Sequence, residues 1–185
     1  MRILIDGIAV ECSIGNITAQ QDISAIVNPA GPGLAPGPGV TGAIHAKAGS
    51  GLYQECMVYA PLMTGKAIIT GGHLLPNKHV IHCLPPAKKS PQAVRQLEQC
   101  YINSLLLADE HQLHSVAFPS LISGSLGNPP ISTAAIALGA IRTTAPLLRF
   151  VRRIRFVLFD RQIFLQYRNL LAANPESVMQ NRITG

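Results

Sequence analysis

Residues 23–45 read Ile-Ser-Ala-Ile-Val-Asn-Pro-Ala-Gly-Pro-Gly-Leu-Ala-Pro-Gly-Pro-Gly-Val-Thr-Gly-Ala-Ile-His. The stretch opens as a short apolar strand: Ile23, Ala25, Ile26 and Val27, with only Ser24 polar among them. It breaks into a loop crowded with Gly and Pro, then recovers a helix-compatible pattern from Val40 through Ala46. A strand, a glycine-rich loop and a helix start, in that order, make a phosphate cradle. Backbone N–H groups converge there, and the helix N-terminus adds partial positive charge.

Outward from this stretch, the chain alternates strands and helices. Residues 2–5 read as a strand that Asp6-Gly7 turns back on residues 8–12 as a hairpin. Residues 40–57 read as a helix interrupted near Gly49-Ser50-Gly51, or as two short helices. Strands follow at 66–70 and 78–84, the second stopped by Pro85-Pro86. Ser90-Pro91 has the form of an N-cap and first helical residue, opening a helix that ends near His111 with Val94, Leu97, Tyr101 and Leu105 on one face. A strand at 115–119 leads into a second glycine loop, 121–130, centred on Ser-Gly-Ser-Leu-Gly. Ser132 starts a helix expected to run through Leu147–Leu148 despite Pro146. A strand at 154–159 and a helix at 161–173 complete the domain, and the polar tail from Asn174 frays. This order predicts an α/β sandwich with helices on both faces, a single domain over residues 1–173 and a tail over 174–185. Both glycine loops follow strands and precede helices, so they are expected to meet at the carboxyl edge of the sheet and grip one diphosphate.

Composition sets the outer bounds. The chain has 185 residues, 48% hydrophobic and 13% charged, enough for one domain with a substantial core. The longest apolar stretch, 131–148, contains Arg142 and reads as a buried helix, so no membrane partner is expected. Asp6 and Glu11 interrupt the N-terminal apolar region, unlike a signal peptide. Cys12, Cys56, Cys83 and Cys100 never form Cys-x-x-Cys, which predicts reduced thiols, no metal site and a cytoplasmic setting. No cofactor is expected. The net charge of +6 favours anionic partners.

The motifs, taken in register, resemble the macrodomain family. They are Gly-Asn-Ile-Thr (15–18), Ala-Ile-Val-Asn (25–28), Gly-Val-Thr-Gly-Ala-Ile-His (39–45), Gly-Lys-Ala-Ile-Ile-Thr-Gly-Gly (65–72), Val-Ile-His (80–82), Ala-Phe-Pro-Ser (117–120), Ser-Gly-Ser-Leu-Gly (123–127) and Val-Leu-Phe-Asp (157–160). The resemblance covers roughly the first 165 residues. It implies a three-layer α/β/α sandwich with a mixed sheet and a cleft for ADP-ribose, some relatives hydrolysing ADP-ribosyl esters.

The implied ligand-binding positions are Asn16, Ile17, Asn28, Gly37, Gly39, Val40, Thr41, Ser123, Gly124, Ser125, Leu126, Gly127 and Phe159. Asn16 stands where the family has an Asp that accepts from the adenine amine. Its amide oxygen is expected to accept there more weakly, or else to support a turn. Phe159 is expected to stack on the base or to pack in the core. In the first loop Pro36 and Pro38 each remove a donor and fix φ, leaving Gly37, Gly39 and Val40 to donate. The second loop wraps the phosphates through Ser123 to Gly127.

Catalysis is where the sequence departs from the family. Gly31 and Thr41 occupy positions where hydrolytic relatives carry an Asn and an Asp. Glycine has no side chain to orient a ribose, and a threonine hydroxyl does not ionise near neutral pH. His45 is the remaining catalytic candidate, with a packing role as its alternative; His82 reads as packing. The expectation is a reader of ADP-ribose or ADP-ribosylated protein with weak or absent hydrolysis. The alternatives are an ADP-ribosyl or O-acetyl-ADP-ribose hydrolase acting by substrate positioning, and an RNA- or poly(ADP-ribose)-binding module using Arg149, Arg152, Arg153 and Arg155.

Overall fold

A computed structural model of the chain describes residues 1–122, 124–126 and 131–173. The expected tail from Asn174 lies outside them. Asp6 and Gly7, at φ 47° and 77°, turn β1 (Arg2–Ile5) back antiparallel onto β2 (Ile8–Ile14). Both turn residues are in the left-handed region, as a tight primed turn requires. The other strands are β3 (Ala25–Pro29), β4 (Ala67–Gly71), β5 (His79–Cys83), β6 (Ser115–Phe118) and β9 (Arg153–Leu158). They form one seven-stranded sheet in the order β1-β2-β9-β6-β3-β5-β4. The five central strands run parallel, and β1 and β4 are antiparallel edges.

The helices are α1 (Gly39–Ala48), α2 (Ser50–Cys56), α3 (Ala93–Glu110), α4 (Thr133–Thr144) and α5 (Arg161–Ala172). Period-two alternation along the buried strands sorts them onto two faces. Val27, Ile81, Val116, Phe118, Ile154 and Phe156 pack with Leu97 and Tyr101 of α3, Ile141 of α4 and Tyr167 of α5. Ile26, Val80, Ala117 and Val157 point the other way, onto Ile44 of α1 and Leu52 of α2. The result is the expected three-layer α/β/α sandwich on a mixed sheet.

Besides small shifts at strand ends, three features differ from expectation. Helix α3 starts at Ala93, because Ser90 closes a turn before it: the Gln92 amide donates to Ser90 Oγ and the Ala93 amide to the Ser90 carbonyl. Helix α4 stops at Thr144, and Pro146 sits in a separate 3-10 turn, Ala145–Leu147, since proline cannot donate to a continuing helix. The second glycine loop contains a two-residue antiparallel ladder, β7 (Ser125–Leu126) on β8 (Ile131–Ser132).

Candidate functional site

Because the central strands are parallel, their carboxyl ends share one sheet edge, and the segments that follow them surround one cavity of about 1010 Å³. After β2 come Gly15, Asn16 and Ile17; after β9, Phe159 and Asp160; after β6, Pro119 to Ile122; after β5, Pro85, Pro86 and Lys88. Gly39, Val40 and Ala43, at the start of α1, supply another wall. Sheet order puts Asn16 and Phe159 on neighbouring strand ends, and the Gly15 amide donates to the Leu158 carbonyl at 3.1 Å.

Helix α1 enters the cavity wall with an unusual start. Its N-cap is Pro38, which places no side-chain oxygen on the first helical amides. Those orphan donors and the helix dipole are thereby available to an anion. Gly39 has φ 63°, a conformation that suits a residue without Cβ. Leu34, fully buried, anchors the loop from below, its amide donating to the Gly31 carbonyl at 3.0 Å.

Phe159 is 93% exposed although it follows a strand end whose Leu158 is buried. The packing alternative for this residue is therefore excluded: the ring lies on the cavity wall, open to solvent. Asn16 takes the turn-supporting alternative. Its Oδ1 accepts from the Thr18 amide and the Thr18 hydroxyl, both at 2.9 Å, capping a 3-10 turn over Ile17–Ala19. The oxygen expected to serve the base is engaged, which leaves the amide nitrogen as the group directed away from the turn.

The other expected positions separate. Ile17, Gly39 and Val40 line the cavity with Asn16 and Phe159. Gly124 is exposed at φ 91°, with Lys88 Nζ 3.7 Å from where its Cβ would stand. Ser125 and Leu126 lie in the short ladder, and Ser123 and Gly127 fall outside the described residues. Gly37, Asn28 and Thr41 do not reach the cavity wall. Asn28 is fully buried, its Nδ2 donating to His82 Nδ1 at 3.1 Å. The Thr41 hydroxyl donates to the Pro29 carbonyl at 2.8 Å, tying α1 to the end of β3.

The Asn28 bond fixes the His82 proton on Nε2, which points to Thr70 Oγ1 at 2.9 Å. Burial, with a smaller contribution from nearby His45, lowers the His82 pKa to about 3. His45 is also buried, neither ring nitrogen has a hydrogen-bond partner among the described residues, and desolvation depresses its pKa. It lines a second hollow of about 340 Å³ with Pro36, Gly42 and Tyr53, apart from the main cavity. Gly31 carries open space beside its Cα. Among the residues lining the main cavity Asp160 is the one carboxylate, and it caps α5 by accepting from the Ile163 amide at 2.9 Å.

Of the four arginines, three have engaged guanidiniums. Arg155 pairs with Glu11 at 2.7 Å and Asp22 at 2.8 Å, and Arg153 with Asp22 at 3.0 Å. The Arg152 guanidinium donates to the Val151 and Arg149 carbonyls. Lys88 was not among the expected site residues. Its position directly after a Pro-Pro strand stop, at the same sheet edge as both loops, is the signal that marks it.

A family profile described as Macro domain matches residues 27–137. The chain is 45% identical over 131 residues to the ADP-ribose glycohydrolase MACROD1 of Rattus norvegicus, a match spanning 69% of this chain and 50% of that protein. It thus spans about half the length of that relative. It is 36% identical over 167 residues to a macro domain-containing protein of Chlorobaculum tepidum, covering 89% of this chain and 95% of the relative. An Oceanobacillus iheyensis macrodomain solved with ADP superposes with a TM-score of 0.82 at 32% identity, covering 92% of this chain and 94% of the other. A Trypanosoma brucei macrodomain solved in complex with ADP-ribose does so at 0.77 and 29%, covering 88% and 68%. Among the described residues no helix is long and apolar enough to cross a membrane.

Proposed function

The chain belongs to the macro domain family, and from that premise we propose that its cavity binds ADP-ribose or a related nucleotide diphosphate, with weak or absent hydrolysis. The observation that carries the reading is the solvent-exposed ring of Phe159 in the same cavity as the uncapped start of α1. A flat apolar ring offers a stacking surface for a base, and main-chain amides at a helix start suit a phosphate. The Oceanobacillus and Trypanosoma neighbours, solved with ADP and with ADP-ribose, support the ligand class. ADP-ribosylated protein is the corresponding macromolecular partner.

The low activity follows from the chemistry of the lining. The Thr41 hydroxyl is a donor committed to a carbonyl, Gly31 is bare, His45 belongs to another hollow, and Asp160 is a helix cap. None of these is placed to take a proton from a water in the cavity. Isothermal titration with ADP-ribose tests binding. Phe159→Ala is expected to weaken it by about 1–3 kcal/mol, the scale of base–aromatic stacking. No heat at millimolar ligand rejects the reading.

The glycohydrolase relative supports a second reading, hydrolysis by substrate positioning with a bound water. It predicts release of ADP-ribose from a mono-ADP-ribosylated protein that survives Thr41→Ala. No release over a long incubation with stoichiometric enzyme excludes it.

A further inference from the structure

Two formally charged side chains line the main cavity, Lys88 and Asp160. One carboxylate oxygen of Asp160, Oδ1, accepts from the Ile163 amide. Lys88 makes no hydrogen bond or ion pair among the described residues, so its ammonium stands uncompensated beside an otherwise largely apolar wall. Its Nζ lies 3.7 Å from the position a Cβ would take on Gly124, which places the charge directly over the backbone of the second glycine loop.

The backbone fixes where this side chain starts. Lys88 follows Pro85 and Pro86, whose φ angles are fixed, immediately after β5. The Ser90 amide closes a turn onto the Ala87 carbonyl at 3.0 Å, fastening the segment on the other side. Main-chain amides recognise an anion by dipole alone. A nearby ammonium adds a full charge, and a site so equipped binds anions with a marked salt dependence.

We propose that Lys88 is a specificity-determining cation of this site: with the backbone of Gly124 beside it, it forms a clamp for a diphosphate. The nucleotide identity of the ligand rests on the reading above; the anion clamp does not. The clamp selects for the charge of a diphosphate and not for its shape alone, so arginine substitutes for lysine and glutamine does not.

The test titrates wild type, Lys88→Gln, Lys88→Arg and Lys89→Gln with ADP-ribose and, separately, with inorganic pyrophosphate, each at low and high salt. Lys88→Gln is expected to lose about tenfold in affinity for both ligands, the scale of one hydrogen bond to a charged group. Its affinity should also depend less steeply on salt. Lys88→Arg and the neighbouring control Lys89→Gln are expected to stay within about threefold of wild type. If pyrophosphate binding depends on Lys88 while ADP-ribose does not bind, the clamp stands and the nucleotide reading falls. If ADP-ribose binds equally to wild type and Lys88→Gln, the clamp is overturned and the nucleotide reading stands. Equal losses in Lys88→Gln and Lys89→Gln overturn it as well, since they report only the general surface charge.

Discussion

The carbonyl oxygen of Gly37 sits so close to the Cα of Gly42 that a side-chain carbon at position 42 would stand 2.2 Å from it. Gly42 is inside α1, so the first glycine loop folds back onto the first turn of its own helix. Only a residue without Cβ permits this approach. Gly42→Ala therefore has to push the loop off the helix, with a cost of about 1–3 kcal/mol typical of overpacking. Melting temperature and ADP-ribose affinity should fall together. Gly31→Ala is the control: nothing lies within 4 Å of its built Cβ, and its stability should stay near wild type. Unchanged ligand affinity in Gly42→Ala would dissociate the loop from the site.

Asn16 lines the cavity while its side-chain oxygen accepts twice from Thr18. An adenine amine is itself a donor, and that oxygen is already engaged. Asn16→Asp keeps one oxygen on Thr18 and supplies a second, charged acceptor. If adenine stacks on Phe159, ADP-ribose affinity should rise by about three- to tenfold, within the range for a charge-assisted hydrogen bond. Loss of affinity would mean that another base edge, or none, faces residue 16.

The paired carboxylates set acid stability. Asp22 is drawn down to about 2, chiefly by its hydrogen bond from Arg155, and the arginine also lowers Glu11 against the opposing effect of burial. A depressed carboxylate contributes stability above its unfolded value, and loses it as pH falls through the folded value. For Asp22 that window runs from 3.8 down to about 2. Because Asp22 is more than half exposed, solvent screening limits the contribution, and Arg155→Met should cost on the order of 1 kcal/mol at pH 7. The variant and wild type should converge in stability below about pH 2, as followed by urea denaturation.

His82 acts in the same direction as these acids, over a higher pH window. Its pKa of about 3 lies below the ordinary 6.5, so the unfolded chain takes up a proton that the folded chain refuses. Stability should decline as pH falls from 6.5 towards 3, at no more than about 1.4 kcal/mol per unit. Nitrogen NMR should find the ring neutral and protonated on Nε2 at pH 5. Thr70→Val removes the oxygen that Nε2 faces and strands a buried donor, at about 1–3 kcal/mol. A charged His82 at pH 5 would contradict the burial argument.

Much of the fold is legible in the chain because its signals are local. Asp6-Gly7 specifies a hairpin, and the short apolar run through Ile23 to Val27 specifies a buried strand. The site is less legible because its decisive facts are tertiary. The run Arg149 to Arg155 reads as a free basic patch, yet Glu11, 144 residues away from Arg155, reaches it across two paired strands. Phe159 is exposed where a phenylalanine after an apolar strand would ordinarily be buried. Lys88 gains its meaning only from Gly124, which the sequence places on a different loop.

Phe159 leaves a calorimetric signature on the free protein. An aromatic face standing in water is hydrated at 25 °C, and any occupant that covers it must strip that hydration away. Such stripping lowers the heat capacity, so the heat released on association should grow as the temperature is raised, and Phe159→Ala should flatten that slope.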